Sequence, residues 1–203
     1  PVNNDLINIE GENVCYNHKP LYNVNNSRKL LGNHNLNDIM FVLGVAKILK
    51  LDMEKVEQTI KNFNPLEHRL ENAGTYNNIT YYNDSISTIP AATINAVNAL
   101  KNVNTLIIGG MDRGIHYQPL IDFLNSSDIE HIICMPNTGH AIAKELTNNK
   151  AILVKDLAEA VEKAKEVTKP NTICLLSPAA ASYGFFKNFE ERGEKYKELI
   201  ARK

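Results

Sequence analysis

Hydrophobic and polar positions change rhythm midway along this chain. Up to about residue 32 they alternate around turn residues. Leu6-Ile7-Asn8-Ile9 and Val14-Cys15-Tyr16, joined through Glu10-Gly11-Glu12-Asn13, read as a hairpin. Leu36, Ile39, Met40, Leu43, Ala46 and Leu49 then recur at helical spacing. A second helix is expected from Asp52, as N-cap, toward Asn62. Asn64-Pro65 breaks the pattern and sets a domain boundary between 1–64 and 65–203.

Beyond the boundary, short apolar runs alternate with amphipathic ones. Strands near 69–74 and 79–83 flank Asn77-Asn78, a hairpin turn. Further strands near 105–108, 132–134, 151–154 and 172–176 alternate with helices near 90–100, 117–125, 139–147 and 156–168. A last helix closes the chain. This order predicts an α/β fold with a Rossmann-like, mostly parallel sheet covered on both faces.

Composition narrows the reading. Of 203 residues, 43% are apolar and 22% charged, which supports a packed core. The net charge of -1 argues against nonspecific nucleic-acid binding. Cys15, Cys134 and Cys174 form no metal motif and read as buried free thiols of a cytoplasmic protein. No apolar run is long enough for a membrane helix, and Pro1-Val2-Asn3-Asn4 is not a signal peptide. His18, His116, His131 and His140 lack metal-like pairing, and no metal site is expected.

Five segments carry candidate chemistry. Gly32-Asn33-His34-Asn35-Leu36-Asn37-Asp38 opens the first long helix, where Asn and Asp cap free N–H groups. His68-Arg69 follows the boundary. Tyr82-Asn83-Asp84-Ser85-Ile86-Ser87-Thr88 joins a strand to a helix, and Asp84, Ser85 or Thr88 could cap that helix. Ile107-Ile108-Gly109-Gly110-Met111-Asp112-Arg113-Gly114 is a strand feeding a glycine turn. Leu176-Ser177-Pro178-Ala179-Ala180-Ala181-Ser182-Tyr183-Gly184 ends an apolar strand in small residues. It leads through Phe185 and Phe186 into a helix carrying Lys187, Phe189 and Arg192. Small residues at a strand end let a ligand approach the backbone, and a helix N-terminus favours an anion. That last helix, with Glu190, Glu191, Lys195 and Lys197, otherwise reads as solvated.

In this order the five segments resemble the Mur ligases, over about residue 30 to the end. These are ATP-dependent ligases of peptidoglycan precursor synthesis, and the final motif resembles their glutamate-adding branch. The resemblance implies that 1–64 is the end of the central, ATP-binding domain and 65–203 the carboxyl-terminal, glutamate-binding domain. It implies ATP contacts at Asn35, Asp38, Arg69 and Asp84, with Arg69 on the phosphates. It implies glutamate contacts at Thr88, Arg113, Ser182, Tyr183 and Phe189. Asp38 stands where the family has asparagine; a carboxylate accepts from adenine's amino group but donates to no ring nitrogen. Ile86 and Arg113 stand where the branch has lysines, and an arginine fork replaces a point charge.

The implied reaction joins D-glutamate to UDP-N-acetylmuramoyl-L-alanine through an acyl phosphate, with ATP and Mg2+. Gly-x-x-x-x-Gly-Lys-[Ser/Thr] is absent, so the main phosphate and magnesium ligands are expected upstream. No residue here is expected to be catalytic, and the chain alone is expected to be an inactive, cytoplasmic monomer. The boundary is expected to act as a hinge. A ligase for L-glutamate and a non-catalytic binding module of the same fold are the alternatives. A generic dinucleotide-binding domain is disfavoured, because no Gly-x-Gly-x-x-Gly follows a strand.

Overall fold

A computed structural model describes residues 6–147 and 149–202. The start Pro1-Val2-Asn3-Asn4 lies outside the described residues. The chain divides into two compact units, one up to Pro65 and one from Leu66 on.

The first unit is a three-stranded antiparallel sheet with two helices. Strands β1 (Ile7–Glu10), β2 (Asn13–Tyr16) and β3 (Lys19–Asn23) pair in that order. The expected hairpin is β1–β2. Strand β3 lay hidden in the sequence because Lys19-Pro20 interrupts its alternation. Proline fits there because β3 is an edge strand, and the register with β2 slips at Val14/Cys15. Helix α1 (Asn33–Ile48) packs Leu36, Ile39, Met40 and Leu43 onto Val14 and Tyr22. Helix α2 (Met53–Asn62) is capped by Asp52, whose carboxylate accepts from the Glu54 and Lys55 N–H groups. It adds Ile60 to the same core.

The second unit is a six-stranded sheet, ordered β4-β5-β9-β6-β7-β8. Its strands are β4 (Glu71–Tyr76), β5 (Ile79–Asn83), β6 (Val103–Gly110), β7 (His131–Asn137), β8 (Ala151–Leu153) and β9 (Ile173–Leu176). Only β4 runs antiparallel to its neighbour. Asn77 and Asn78 turn the β4–β5 hairpin with φ of 51° and 62°, as a two-residue primed turn requires. β4 begins later than expected because His68 and Leu70 take positive φ.

Helices α3 (Pro90–Ala99), α4 (Gln118–Ser126), α5 (Thr138–Glu145), α6 (Leu157–Val167) and α7 (Phe189–Ala201) connect and close the sheet. Tyr81, Ile107, Ile133, Cys174 and Leu176 pack with α6 and α7 residues on one face. Leu106, Ile108, Ile132, Cys134 and Leu175 alternate with them and are equally buried, so both faces are covered. Lys187 precedes α7 rather than riding on it, because Asn188 caps the helix through the Glu191 N–H. The three cysteines are buried and free. Among the described residues no helix is long and apolar enough to cross a membrane.

Candidate functional site

The carboxyl ends of the parallel strands β5, β9 and β6 are neighbours, and each feeds one candidate loop. The loop after β5 carries Asp84 and Thr88, that after β9 carries Ser182 and Tyr183, and that after β6 carries Arg113. Ligands of open α/β sheets bind at such strand ends, where the chain switches direction across the sheet.

Two backbone stitches hold the loops together. Gly109 N donates to Pro178 O at 2.9 Å, and Met111 N donates to Ala181 O at 2.8 Å. The first glycine is obligatory: at φ 117° a Cβ would stand 2.6 Å from Met135 O. Gly110, at φ 144°, would press a Cβ against Ala181 O. Ala179 holds the left-handed conformation at φ 55°, strain of the kind that concentrates at ligand sites.

The side chains then fall into place. The Arg113 guanidinium donates to Thr88 O at 3.1 Å and reaches Thr88 Oγ1 at 3.5 Å. Thus two of the expected glutamate contacts meet. Ser182 is buried beside a small cavity of about 120 Å³, walled also by Gly110, Met135, Leu157, Phe186 and Arg192. Tyr183 is exposed. Phe189 opens α7; its ring stands edge-on to His68 with centroids 6.1 Å apart, and its carbonyl accepts from Ser85 Oγ at 2.8 Å.

Asp84 is buried and caps no helix: Ile89 is the N-cap of α3. Its carboxylate accepts from Leu70 N at 3.2 Å and Ser177 Oγ at 2.7 Å. Burial pushes its pKa up to about 6, against hydrogen bonds and the Arg69 charge, which pull it down. Arg69 itself is exposed.

Sequence reasoning missed Arg192 as part of this constellation. It is buried, and burial lowers its pKa to about 9, which leaves it a cation at neutral pH. Its Nε donates to Ser85 Oγ at 3.0 Å, Nη2 to Ser85 O at 2.8 Å and Nη1 to Ala180 O at 3.0 Å. One side chain therefore pins the β5 loop, the β9 loop and α7. The available signal was its place in the final motif, where glutamates on either side suggested a solvated face.

His68 is buried against Gly193, whose missing Cβ makes room for the ring. Glu67, His68 and Glu194 offer ligand atoms within 4.8 Å of one another. Asn83 Nδ2 faces His68 Nδ1 at 2.9 Å, while Asn83 Oδ1 accepts from Ser85 N. That orientation makes Nδ1 the acceptor and leaves the ring proton on Nε2, which faces Glu194. Lys197 already pairs with Glu194 at 2.7 Å. Glu194 is thus held by Lys197, and the trio, which is empty, is assigned no metal.

In the first unit, Asn35 is buried and its amide donates to Leu31 O at 2.6 Å. It does not cap α1, whose N-cap Gly32 takes φ 89°. Asp38 lies three residues on, exposed.

The second unit is thus an α/β domain with cations, hydroxyls and small residues at its strand ends, an arrangement suited to an anion. The family described as Mur ligase, glutamate ligase domain, matches residues 68–180, and the chain belongs to the Mur ligase family. It is 40% identical over 174 residues to the UDP-N-acetylmuramoylalanine–D-glutamate ligase of Oenococcus oeni, covering 84% of this chain and 39% of that protein. The chain spans about two fifths of the length of the curated relatives it matches. The fold is shared with UDP-N-acetylmuramate-alanine ligase of Thermotoga maritima, at TM-score 0.67 and 19% identity over 91% of this chain and 41% of that one. It is shared also with Mycobacterium tuberculosis folylpolyglutamate synthase complexed with ADP, at TM-score 0.61 and 12% identity over 91% and 43%.

Proposed function

We propose that this chain supplies the glutamate-binding domain, and part of the ATP-binding domain, of a ligase that adds D-glutamate to UDP-N-acetylmuramoyl-L-alanine. The observation that carries the reading is that three adjacent strand ends feed the loops of Thr88, Arg113 and Ser182, with Arg113 bonded to Thr88. Arg113 supplies a fork for a carboxylate, Thr88 and Ser182 supply hydroxyls, and Tyr183 and Phe189 flank the last loop. The relatives named for D-glutamate support that enantiomer over L-glutamate.

Arg69 and Asp84 would face the nucleotide, with Asn35 and Asp38 meeting its base. The glutamate amine would attack an acyl phosphate, and the domain's part is to hold that amine in line. Magnesium, when bound with ATP, neutralises phosphate charge. Both Asp84 oxygens accept hydrogen bonds from the chain itself, and no magnesium ligand is assigned to Asp84. Residues 1–64 read as the end of an ATP-binding domain, a reading supported by the exposed apolar side of α1. A cytoplasmic location fits substrates of this kind.

The test uses a protein of the relatives' full length that carries this sequence. With UDP-N-acetylmuramoyl-L-alanine and ATP, phosphate release and product should require D-glutamate. Turnover with L-glutamate alone, or with neither, would refute the assignment. The 203-residue chain alone should not turn over ATP.

A further inference from the structure

Behind Asp84 lies a run of buried hydroxyls that the proposed chemistry does not use. Ser177 Oγ donates to Asp84 Oδ2 at 2.7 Å and lies 3.0 Å from Thr93 Oγ1. Thr93 Oγ1 donates to Ser177 O at 3.1 Å. Ser177 and Thr93 are fully buried, and Asp84 is 2% exposed. The run ends on a backbone carbonyl, so its hydroxyl protons have two self-consistent arrangements. With Asp84 ionised, Ser177 donates to the carboxylate and Thr93 to the carbonyl. With Asp84 protonated, the acid donates to Ser177 Oγ, Ser177 donates to Thr93 Oγ1, and Thr93 still donates to the carbonyl. Along this run neither state leaves a hydroxyl donor unpaired, which is the usual penalty for changing a buried charge; the Ser87 side chain also bonds the carboxylate, outside the run.

We propose that Ser177 and Thr93 are positioning residues that form a reversible hydroxyl relay behind Asp84, so that Asp84 takes up and releases a proton within the site instead of being a fixed anion. The functional weight of this relay rests on the reading of Asp84 as a nucleotide-side residue; the relay itself does not. A midpoint near 6 agrees with it. Other titratable or charged groups on the surrounding segments are His68, Arg69 and Glu71 before and in β4, Tyr81 and Tyr82 in β5, Asp112 and Arg113 after β6 and Arg192 on α7, of which Arg69 acts on the Asp84 charge. Helix α3 brings no charged or titratable group and contributes only the Thr93 hydroxyl, while strand β9 brings Cys174, buried in the core with α6 and α7, and is followed by Ser177.

The two hydroxyls should act in opposite directions. Ser177→Ala removes a donor to the charged form, and bonds to charged groups are the stronger kind. Thr93→Val is close to isosteric and removes the acceptor that only the protonated state needs. We would titrate the Asp84 carboxyl carbon by NMR in the 203-residue chain, with amide spectra confirming that each variant is folded. Ser177→Ala should raise the midpoint by about one pH unit, the worth of one hydrogen bond to a charge. Thr93→Val should lower it. An unchanged midpoint in Ser177→Ala, or an upward shift in Thr93→Val, would overturn the relay; the Thr93 sign decides alone if Ser177→Ala does not fold. In the full-length ligase, the acid limb of the pH–rate profile should move with these midpoints. Shifted midpoints with an unmoved acid limb would uphold the relay and refute the nucleotide-side role of Asp84.

Discussion

Helices α1 and α7 show how differently the two units handle apolar surface. Helix α7 is rich in charge, yet it buries one strict face of Arg192, Gly193, Tyr196, Leu199 and Ile200. Helix α1 is apolar nearly all round. It buries Leu36, Ile39, Met40 and Leu43 but leaves Phe41, Val42, Val45 and Ile48 exposed, with Leu49 just beyond its end. A helix apolar on every side belongs in an interior. The second unit closes its own core and keeps its polar residues for the strand ends. The first unit carries Asn35 and Asp38 on an element only half covered. The proposed amino-acid site therefore lies in a unit that covers its own core, whereas the proposed adenine contacts sit on a helix with an uncovered apolar side.

The sharpest way to break this contrast is to attack the closed unit at its buried cation. Arg192→Met keeps much of the volume but strips three hydrogen bonds and leaves Ser85 O and Ala180 O buried without their donor. The expected loss is about 3–5 kcal/mol in urea unfolding of the second unit. The amides of Ser85, Thr88 and Ser182 should shift most. A loss below about 1 kcal/mol would show that the loops hold without the clamp.

Removing the buried anion should do the reverse. The pKa of Asp84 is raised by burial, from 3.8 to about 6. Its contribution to stability is therefore complete below about pH 3.8 and is lost as pH rises through about 6. Asp84→Asn should stabilise the second unit by roughly 2–3 kcal/mol at pH 7, with the gain vanishing below about pH 4. The asparagine amide would donate to Ser177 as the protonated acid does. Unfolding curves at several pH values measure this, and a gain independent of pH would contradict the buried-charge account. Catalysis by the full-length protein should fall with the same change, since a carboxylate kept at a cost in stability marks a functional group.

Much of this was legible because local rules agree with the fold. The alternation of strands and helices, the Asn77-Asn78 turn and the Asp52 cap each follow from residues close in sequence. The resemblance likewise picked out Thr88 and Arg113, which the fold then joins. What stayed hidden depends on distant partners. Arg192 looks solvated until Ser85, 107 residues away, is brought to it. Ser177 reads as a turn residue until Thr93, 84 residues away, completes the relay. Asp84, Ser85 and Thr88 each read as a possible helix cap until Ile89 is seen to hold that place.

The smallest expected effect tests the other half of the contrast. Val45→Lys with Leu49→Lys places charges on the open side of α1, where both residues are more than half exposed. Lysine is a good helix former, and near the carboxyl end its charge suits the helix dipole. In the 203-residue chain the double variant should change unfolding free energy by no more than about 0.5 kcal/mol, as for surface substitutions generally. It should also reduce binding of a hydrophobic dye and any self-association seen by sedimentation, because an apolar patch is lost. In the full-length protein the same lysines should cost several kcal/mol, roughly the penalty for burying unpaired charges. The difference between the two settings is therefore the quantity to measure. Equal and small effects in both would mean that nothing covers this side of α1, and that the first unit is not a piece of an ATP-binding domain.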